Sequence, residues 1–264
     1  MIRLIATDMD GTFLDSKKEF DKSFFHLFKK IKEKEIAFVI ASGNQFYHLY
    51  NQFQPISDDI YFIAENGAYI SKGREELYSY SMDLEFVDRI IEILEQFPQI
   101  MPVIGGVKRS YILNRYKKYE DEIKRHYDNF MFVDNYKDIQ DQILKFSIHD
   151  PLQNVGKYVS KIEKYLPEDL KIMTSGNEWM DIQHHTIHKG FGIKFLQDQL
   201  NISFEECAAF GDQMNDYELL KNVGYPYAMD NAVSNIKNIA CEIVLSNDEQ
   251  GVQRKIKEII EENI

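Results

Sequence analysis

Short apolar runs typical of buried strands alternate with helical segments at both ends of this chain. The runs "IRLIAT" at residues 2–7, "IAFVIAS" at 36–42 and "IYFIAE" at 60–65 are separated by segments with a helical apolar period. Strands that are apolar on both faces belong to parallel sheets, which are joined by right-handed crossovers. The pattern therefore predicts an α/β chain with a doubly wound parallel-sheet core.

The pattern changes in the middle of the chain and returns near Lys189. Residues 83–187 mix short strands with helices, and several of these strands are joined by turns too short for a parallel crossover. This middle segment is predicted to be an α+β domain with an antiparallel sheet. The simplest organisation is one core, residues 1–82 and 188–264, interrupted by an inserted domain at residues 83–187.

Two local patterns refine the prediction for the first part of the core. Apolar residues between Phe20 and Ile31 recur at helical spacing, which predicts a helix from Lys17 to Lys34. The dipeptide Asn66-Gly67 is a hairpin signal, and "LYSYSM" at residues 77–82 is expected to pair back across it.

Charge and composition argue against several classes of partner. The 264 residues carry a net charge of −12 with a pI near 5.1, which argues against a large surface for nucleic acid or anionic membrane. The first residues lack the features of a signal peptide, and no apolar stretch approaches the ~20 residues of a membrane span. Cys207 and Cys241 lack metal-type spacing and are expected to be buried, reduced thiols. A soluble cytoplasmic protein is expected, and its oligomeric state is unknown.

Two carboxylates, Asp8 and Asp10, follow the first apolar run, with Gly11 and Thr12 directly behind them. Carboxylates this close repel each other unless a cation neutralises them, and hard oxygen ligands suit Mg²⁺. A calcium loop needs helices on both sides and a glycine in a later position than Gly11 has here. An Asx-type turn is the remaining alternative.

Further polar groups follow other predicted strands or open helices. Asp212 ends the strand "CAAFGD", and Asn215 and Asp216 lie 3 and 4 residues later, on one side of an incipient helix. In "ASGN", the Ser42 hydroxyl and backbone N–H groups lie at a helix start, a place for phosphate oxygens. Lys189 also opens a predicted helix, where the dipole disfavours it unless an anion is near. Each group alone also has an ordinary structural explanation. Asp212 and Ser42 could be helix caps, and Lys189 could be a solvated side chain.

In this order, "DMDGT", "ASGN", Lys189 and "GDQMND" resemble the four motifs of the haloacid dehalogenase (HAD) superfamily of phosphatases. The resemblance spans the whole chain. It is greatest to the Cof-type branch and its bacterial sugar-phosphate phosphatases, through "TDMDGTFL", "ASGNQ" and "AENGA". It implies a Rossmann-like core with a C2-type α+β cap inserted between the second and third motifs. Many relatives carry Thr-Gly-Arg where this chain has Ser42-Gly43-Asn44, so the hydroxyl is retained and the arginine is not.

The resemblance also implies a reaction and a set of roles. A small phosphorylated metabolite, most readily a sugar phosphate, would be hydrolysed with Mg²⁺ as cofactor. Asp8 would attack phosphorus and form an aspartyl-phosphate, while Asp10 would protonate the leaving alcohol and then deprotonate the attacking water. Asp8, the Asp10 backbone carbonyl and Asp212 would hold Mg²⁺, with Asp216 acting through a water or as an occasional ligand.

The remaining groups implied by the resemblance would bind the phosphoryl oxygens or select the substrate. The phosphoryl-binding groups would be the Met9 backbone N–H, Ser42, the Gly43 backbone N–H, Lys189 and Asn215. The inserted domain would be a cap that excludes water and reads the leaving group, hinged near Ser81-Met82 and residues 183–188. Its turn-rich stretches Gly105 to Tyr111 and Ser175 to Asp181 are candidates for substrate contact and are equally interpretable as hairpin turns.

Three histidines and two rival functions complete the interpretation. His184, His185 and His188 have no accompanying zinc-site spacing and are expected to be hinge and surface histidines. A phosphotransferase or phosphomutase would use the same aspartyl-phosphate and differ in the acceptor. A receiver-like module or a non-enzymatic phosphosugar sensor would also combine acids with a lysine, although a receiver needs far fewer residues.

Overall fold

The computed structural model describes residues 1–175 and 177–262, so Gly176 in the stretch Ser175 to Asp181 lies outside the described residues. The strands, in chain order, are β1 (Leu4–Thr7), β2 (Ala37–Ala41), β3 (Tyr61–Ala64), β4 (Tyr69–Lys72), β5 (Glu75–Ser79), β6 (Met101–Gly106), β7 (Ser110–Leu113), β8 (Phe130–Val133), β9 (Ile143–His149), β10 (Leu170–Ser175), β11 (Trp179–His184), β12 (Cys207–Gly211), β13 (Tyr225–Met229) and β14 (Glu242–Val244). The α-helices are α1 (Phe24–Glu33), α2 (Phe46–Gln52), α3 (Leu84–Leu94), α4 (Glu120–Ile123), α5 (Gly156–Glu163), α6 (Lys189–Leu200), α7 (Tyr217–Leu220), α8 (Ser234–Lys237) and α9 (Gly251–Glu262).

The chain is an α/β protein with two mixed sheets, and it divides into two compact units. The first unit comprises residues 1–43, 49–77 and 188–264, and the second comprises residues 44–48 and 78–187. Among the helices just given, none combines the length and the apolar character needed to cross a membrane.

The first sheet has the strand order β14-β13-β12-β1-β2-β3-β4-β5. Neighbouring strands from β14 to β3 run parallel, whereas β4 runs antiparallel to β3. β1 and β12 are buried along their whole lengths, as expected for strands that are apolar on both faces. The sheet is therefore parallel through its centre and departs from the parallel prediction beyond β3.

The tight turn after β3 is the reason why this sheet becomes mixed. Asn66 and Gly67 adopt φ values of 57° and 104°, and Ala64 pairs with Tyr69 across the turn. The predicted Asn-Gly hairpin is thus confirmed, but the returning strand is β4 and not residues 77–82. Those residues overlap β5, which lies beyond β4.

The first helix begins later than its apolar period predicts. α1 starts at Phe24 rather than near Lys17. The Asp15 carboxylate accepts hydrogen bonds of 2.9 Å from the backbone N–H groups of Lys17 and Glu19. Lys18 lies between them with a φ of 64°. Because such side-chain bonds compete with helical hydrogen bonds, the segment before Phe24 forms turns.

The order of the central strands gathers three strand ends at one edge of the first sheet. β1 lies between β12 and β2, and Thr7 pairs with Phe210 on one side and with Ile40 on the other. Asp8 and Asp212 directly follow β1 and β12, so both leave the sheet at this carboxyl edge. In open α/β sheets, this is the edge where ligands bind.

The second sheet has the order β10-β11-β9-β6-β7-β8. Its described pairs are antiparallel except for β7 and β8, which run parallel. The prediction of an antiparallel sheet is therefore wrong at this edge. The segment of residues 114–129 between these two strands contains α4 and is long enough for a parallel crossover.

Alternate residues of the second sheet pack into two separate apolar cores. Ile104 of β6 packs with the buried cluster that includes Ile90 of α3 and Ile162 of α5. Val103 packs instead with the cluster formed by residues 116–127 and their neighbours. Because successive strand residues point to opposite faces, α3 and α5 cover one face and the segment around α4 covers the other.

The two cysteines lie in different surroundings. Cys207 is buried in β12, but Cys241 is exposed just before the edge strand β14. Both are free thiols. The expectation of two buried thiols is therefore wrong for Cys241, because the segment that leads into an edge strand keeps one side open to solvent.

Candidate active site

Three chain segments converge at the carboxyl edge of the first sheet around one buried ammonium group. Lys189 Nζ donates hydrogen bonds to Asp8 Oδ1 at 2.5 Å and to Asp216 Oδ1 at 2.6 Å. Lys189 and Asp216 are fully shielded from solvent, and Asp8 is 5% exposed. Lys189, the first residue of α6, thus contacts two carboxylates. The positive end of the helix dipole at this position favours such anions.

The backbone of β1 and its neighbour holds Asp8. The Asp8 N–H donates to the Phe210 carbonyl of β12 at 3.1 Å, and the Asp8 carbonyl accepts from the Thr7 hydroxyl at 2.8 Å. The first of these bonds extends the pairing with β12 by one residue beyond β1. The Asp8 side chain consequently leaves the sheet from a fixed point.

Asp212 receives a hydrogen bond that the motif pattern did not predict. The Thr12 hydroxyl donates to Asp212 Oδ1 at 3.0 Å, and both side chains are buried. Gly11 has a φ of 79°, and a Cβ at this position would lie 2.5 Å from Asp212 Oδ2. Gly11 therefore permits the close approach, and Thr12 orients the carboxylate. The hydroxyl directly after Gly11 in "DMDGT" was the signal in the sequence.

Asp216 organises the loop that carries Asp212. Its Oδ2 accepts hydrogen bonds from the backbone N–H groups of Asp212 and Gln213, at 2.9 and 3.1 Å. Its Oδ1 accepts the bond from Lys189. Asp216 thereby joins the loop to the lysine directly, and these contacts were not among its predicted roles. Asn215 is partly buried in the same 3₁₀ turn.

A side-chain cap precedes Lys189 at the start of α6. The Nδ1 atom of His188 accepts a hydrogen bond from the Phe191 N–H at 3.1 Å. Such a cap satisfies one of the N–H groups that a helix leaves unpaired at its start. A cation at this end opposes the helix dipole, and the Asp8 and Asp216 carboxylates offset that unfavourable interaction.

Burial and the repulsion between neighbouring carboxylates raise the pKa values of Asp8 and Asp212. Burial is the main cause for Asp8, whose pKa lies well above 3.8; the Asp216 charge raises it further and Lys189 opposes this. Burial, followed by the Asp216 charge, raises the pKa of Asp212 to about 6. Burial alone would lower the pKa of Lys189, but Asp216 and Asp8 outweigh it and raise that pKa above its usual 10.5. Lys189 is therefore an ammonium at neutral pH.

The buried carboxylates fit a divalent metal ion. Asp8, Asp212 and Asp216 each offer an oxygen, and these oxygens lie within 4.8 Å of one another. The single positive charge of Lys189 cannot balance three carboxylates, and uncompensated buried charge is costly. A donor set of oxygens alone matches a hard divalent cation.

Asp10 is more exposed than the carboxylates of this cluster. Its side chain is 41% exposed, and its Oδ1 accepts a hydrogen bond from Lys18 Nζ at 2.6 Å. Met9 is fully buried, and its carbonyl accepts hydrogen bonds from the Thr12 and Leu14 N–H groups. The "DMD" sequence therefore presents one buried carboxylate and one that is accessible to solvent.

Ser42 and Gly43 follow β2, which is the other neighbour of β1. Ser42 is 2% exposed, and its N–H donates to the Ile63 carbonyl at 2.9 Å. Its own carbonyl accepts from the Asn66 N–H at 3.0 Å. These bonds fix the backbone at the end of β2, on the same edge of the sheet as Asp8.

The segment that begins with Asn44, the residue that replaces the arginine of many relatives, belongs to the second unit. This segment spans residues 44–48. Within that unit, Gln45 Nε2 donates to Ser110 Oγ at 3.0 Å and to the Asn129 carbonyl at 2.7 Å.

Proteins related in sequence are phosphatases. The family model described as haloacid dehalogenase-like hydrolase matches residues 5–256. The 5-amino-6-(5-phospho-D-ribitylamino)uracil phosphatase YbjI of Escherichia coli (strain K12) is 30% identical, over 98% of this chain and 96% of its own length.

Solved structures are similar to this chain over nearly its whole length. SMU.1108c from Streptococcus mutans UA159 has 30% sequence identity and a TM-score of 0.88, with 99% of this chain and 100% of that chain covered. BT4131, described as a HAD subclass IIB sugar phosphatase, has a TM-score of 0.82 with 97% and 98% covered. At 18% identity, the likeness to BT4131 shows the fold alone.

Proposed function

This chain belongs to the haloacid dehalogenase-like hydrolases, and we propose that it hydrolyses sugar-type phosphate esters with Mg²⁺ through an aspartyl-phosphate on Asp8. It is a phosphatase, a phosphoric monoester hydrolase, of small phosphorylated metabolites. The receiver-like and non-enzymatic alternatives are therefore wrong. Its fold is similar to that of HAD subclass IIB, and we further propose a doubly wound core with residues 83–187 as a C2-type cap.

The contact of Asp8 with Lys189, inside a buried group of carboxylates, is the observation that carries this proposal. A carboxylate that attacks a phosphate ester must approach another anion, so positive charge has to lie beside both. Asp8 contacts the ammonium of Lys189 and also belongs to the cluster that fits a divalent ion. It therefore combines both requirements of the nucleophile.

Asp8, Asp212 and the Asp10 backbone carbonyl are the proposed Mg²⁺ ligands. When bound, the ion supplies positive charge to the carboxylates and to the phosphoryl oxygens. Asp216 is better suited to holding Lys189, because its two oxygens already accept three hydrogen bonds.

Asp8 and Asp10 divide the chemical steps between them. An Asp8 oxygen attacks phosphorus, the bond between phosphorus and the leaving oxygen breaks, and Asp10 donates a proton to that oxygen. Water then attacks the phosphorus of the aspartyl-phosphate, Asp10 accepts a proton from the water, and phosphate leaves Asp8. The 41% exposure of the Asp10 side chain suits a group that exchanges protons.

The phosphoryl group needs several donors, because positioning and electrostatics supply most of the acceleration in phosphoryl transfer. Uncatalysed phosphate-monoester hydrolysis is slow enough to require accelerations of up to ~10²¹-fold. The proposed donors are the Met9 N–H, the Ser42 hydroxyl, the Gly43 N–H, Lys189 and Asn215. The place of Ser42 beyond β2, which adjoins β1, supports its inclusion.

A relative supports a phosphate carried on a sugar or a sugar-alcohol chain. The name of YbjI, which is 30% identical to this chain, specifies a phosphoribityl group. We propose a sugar phosphate as the substrate here. The phosphoribitylaminouracil is the second candidate, which the 30% identity to YbjI favours. Residues 83–187, as the proposed cap, would select the leaving group.

A phosphate-release screen tests the substrate class. Sugar phosphates, 5-amino-6-(5-phospho-D-ribitylamino)uracil, nucleotides and pyridoxal phosphate are compared with and without Mg²⁺. We expect Mg²⁺-dependent release from the sugar-type esters, without any added acceptor. Release that requires an added acceptor would favour the phosphotransferase or phosphomutase alternative, and turnover confined to nucleotides would contradict the proposed substrate.

Separate substitutions of the two aspartates test their roles. Asp8→Asn removes the nucleophile, so we expect kcat to fall ~10⁴-fold or more and no hydroxylamine-sensitive phosphoenzyme to form. Asp10→Asn retains the nucleophile and lacks the base for the second step. With an aryl phosphate, whose leaving group needs little protonation, it should accumulate phosphoenzyme in an initial burst.

The matched Asp-to-Asn changes control for shape, and circular dichroism checks that both variants fold. A fully active Asp8→Asn enzyme contradicts the aspartyl-phosphate. A phosphoenzyme that forms in Asp8→Asn and not in Asp10→Asn would reverse the two roles.

A further inference from the structure

A second group of metal-type ligands lies in the second unit, outside the four motifs. Glu122, His149 and Glu178 each offer one ligand atom, and these atoms lie within 4.8 Å of one another. The group combines a ring nitrogen with carboxylate oxygens, unlike the oxygen-only group of the first unit. The phosphatase chemistry proposed above uses none of these three residues.

The second sheet and α4 bring these residues together. His149 is the last residue of β9 and pairs with Trp179, the first residue of β11. Glu178 directly precedes Trp179, and its carbonyl accepts a hydrogen bond from the Asp150 N–H at 2.8 Å. Glu122 lies in α4, within the segment that covers this face of the sheet. The ligand atoms therefore come from three different elements.

The His149 ring is buried with a polar atom unsatisfied. His149 is only 5% exposed, and its Nδ1 has no hydrogen-bond partner among the residues that the structure describes. Buried polar atoms are normally paired, and the ring that carries this unpaired atom lies within ligand distance of the Glu122 and Glu178 carboxylates. Burial also lowers the pKa of His149 below its usual 6.5, against the raising effect of Glu122 and Glu178. A neutral imidazole is the form that binds metal ions.

A third group of similar composition provides a contrast. Asp169, His184 and His185 also lie within ligand distance of one another, but Asp169 and His185 are exposed and His184 is only partly buried. His184 Nδ1 lies 2.7 Å from the Thr186 hydroxyl, and His185 Nδ1 lies 3.0 Å from the Asp169 carbonyl. These Nδ1 atoms already have local partners, whereas the described residues offer none to Nδ1 of His149.

We propose that Glu122, His149 and Glu178 bind a divalent transition-metal ion of the zinc class. Imidazole with carboxylates suits Zn²⁺, Co²⁺ or Ni²⁺, whereas Mg²⁺ prefers oxygen ligands alone. The ion would offset the two glutamate charges and join α4 to the ends of β9 and β11. It is distinct from the ion proposed for Asp8 and Asp212.

The single tryptophan of the chain reports on this site selectively. The Trp179 ring lies 4.6 Å from the His149 ring and 5.0 Å from the His126 ring, between centroids. Paramagnetic Co²⁺ bound beside it should quench its fluorescence. The full-length protein is titrated with Co²⁺ in excess Mg²⁺, which occupies the oxygen-only site. We expect saturable quenching that diamagnetic Zn²⁺ reverses by displacing Co²⁺.

Charge-neutral glutamate variants identify the ligands. Because His149 is packed in the sheet, Glu122→Gln and Glu178→Gln carry the test, and each should weaken Co²⁺ binding ~10-fold or more. Asp121→Asn is the matched control, since Asp121 is exposed on the same helix and lies outside the cluster. The dissociation constant of Co²⁺ for Asp121→Asn should equal that for the wild type. Quenching that does not saturate, or an unchanged constant in either glutamine variant, overturns the proposal.

Discussion

The ligand-type groups of the first and second units differ in the cations that the protein itself supplies. In the first unit, Lys189 is completely buried and donates to two of the three carboxylates. In the second, Glu122 pairs with Arg125, whose side chain is 71% exposed, and lies 3.5 Å from Nε2 of the partly exposed His126. Within the described part of the chain, the buried His149 Nδ1 has no hydrogen-bond partner. An exposed ion pair of this kind contributes little because water screens it.

The group in the first unit is therefore preorganised by the protein's own cation, whereas the proposed site in the second unit depends on an external metal ion. A buried ammonium holds its carboxylates in place before any substrate arrives, which suits stabilisation of an anionic phosphoryl group. The glutamate partners described in the second group are exposed or partly exposed, so an external ion would supply the positive charge that Lys189 supplies in the first unit. The donor atoms differ accordingly, because oxygens alone favour Mg²⁺ whereas a ring nitrogen with carboxylates favours the zinc class.

Removal of the built-in cation should have the largest effect on stability. Lys189→Met leaves Asp8 and Asp216 buried without their ammonium, so we expect the free energy of unfolding without metal to fall by ~3–5 kcal/mol. Mg²⁺ should restore part of this loss by supplying positive charge. Urea unfolding with EDTA and with Mg²⁺ measures both effects.

Lys194→Met is the matched control for this experiment. Lys194 is exposed on the same helix, and exposed substitutions usually change stability by less than ~0.5 kcal/mol. Equal losses in the two variants would mean that the carboxylates do not depend on Lys189, and the contrast between the units would fail.

The pH dependence of stability should have opposite signs in the two groups. The pKa of Asp212 rises from 3.8 to about 6 on folding, so the folded state binds this proton more tightly than the unfolded state. Without metal, the free energy of unfolding should therefore fall as pH rises from about 4 to above 6, by up to ~3 kcal/mol. The pKa of His149 is lowered on folding, so its contribution should rise with pH up to about 6.5.

Asp212→Asn separates these two contributions. The variant has no carboxyl group at this position, so the downward slope in EDTA should become shallower by the contribution of Asp212, while the contributions of Asp8, whose pKa is also raised, and of His149 remain. Urea unfolding across this pH range measures the slopes of the variant and of the wild type. Identical slopes would show that Asp212 does not carry the predicted penalty.

The sequence predicted the elements of the first unit well because its buried strands are continuous apolar runs that end in polar residues. The residues after these strands indicated Asp8 and Asp212 as site residues, and the predicted start of α6 indicated Lys189. The start of α1 was wrong, because Asp15 binds its own neighbouring backbone and the apolar period does not reveal that competition. The parallel edge of the second sheet was missed because strand direction depends on how residues 114–129 cross over.

Long-range contacts were the other part that the sequence left undetermined. Asp216 was identified as an acid of the fourth motif, but its bond to Lys189 joins residues 27 positions apart. Glu122, His149 and Glu178 have no motif spacing at all. They meet because the ladder of β9 and β11 sets Trp179 opposite His149. Sequence spacing can identify ligands that lie on one helix or strand. The residues of this group lie on separate chain segments, which come together only in the folded protein.

The smallest of these effects is expected for the hydrogen bond that Thr12 donates to the proposed Mg²⁺ ligand Asp212. Thr12→Val removes the hydroxyl that donates to Asp212 Oδ1 and nearly preserves side-chain volume. Loss of such an orienting bond typically weakens metal binding ~10-fold, or ~1.4 kcal/mol. Mg²⁺ activation curves for phosphate release measure the change, and Thr12→Ser should restore wild-type affinity because it retains the hydroxyl. Equal Mg²⁺ affinity in Thr12→Val and the wild type would mean that Asp216 and the loop backbone alone orient this carboxylate. Preorganisation of the first unit would then depend on the contacts of Lys189 with Asp8 and Asp216.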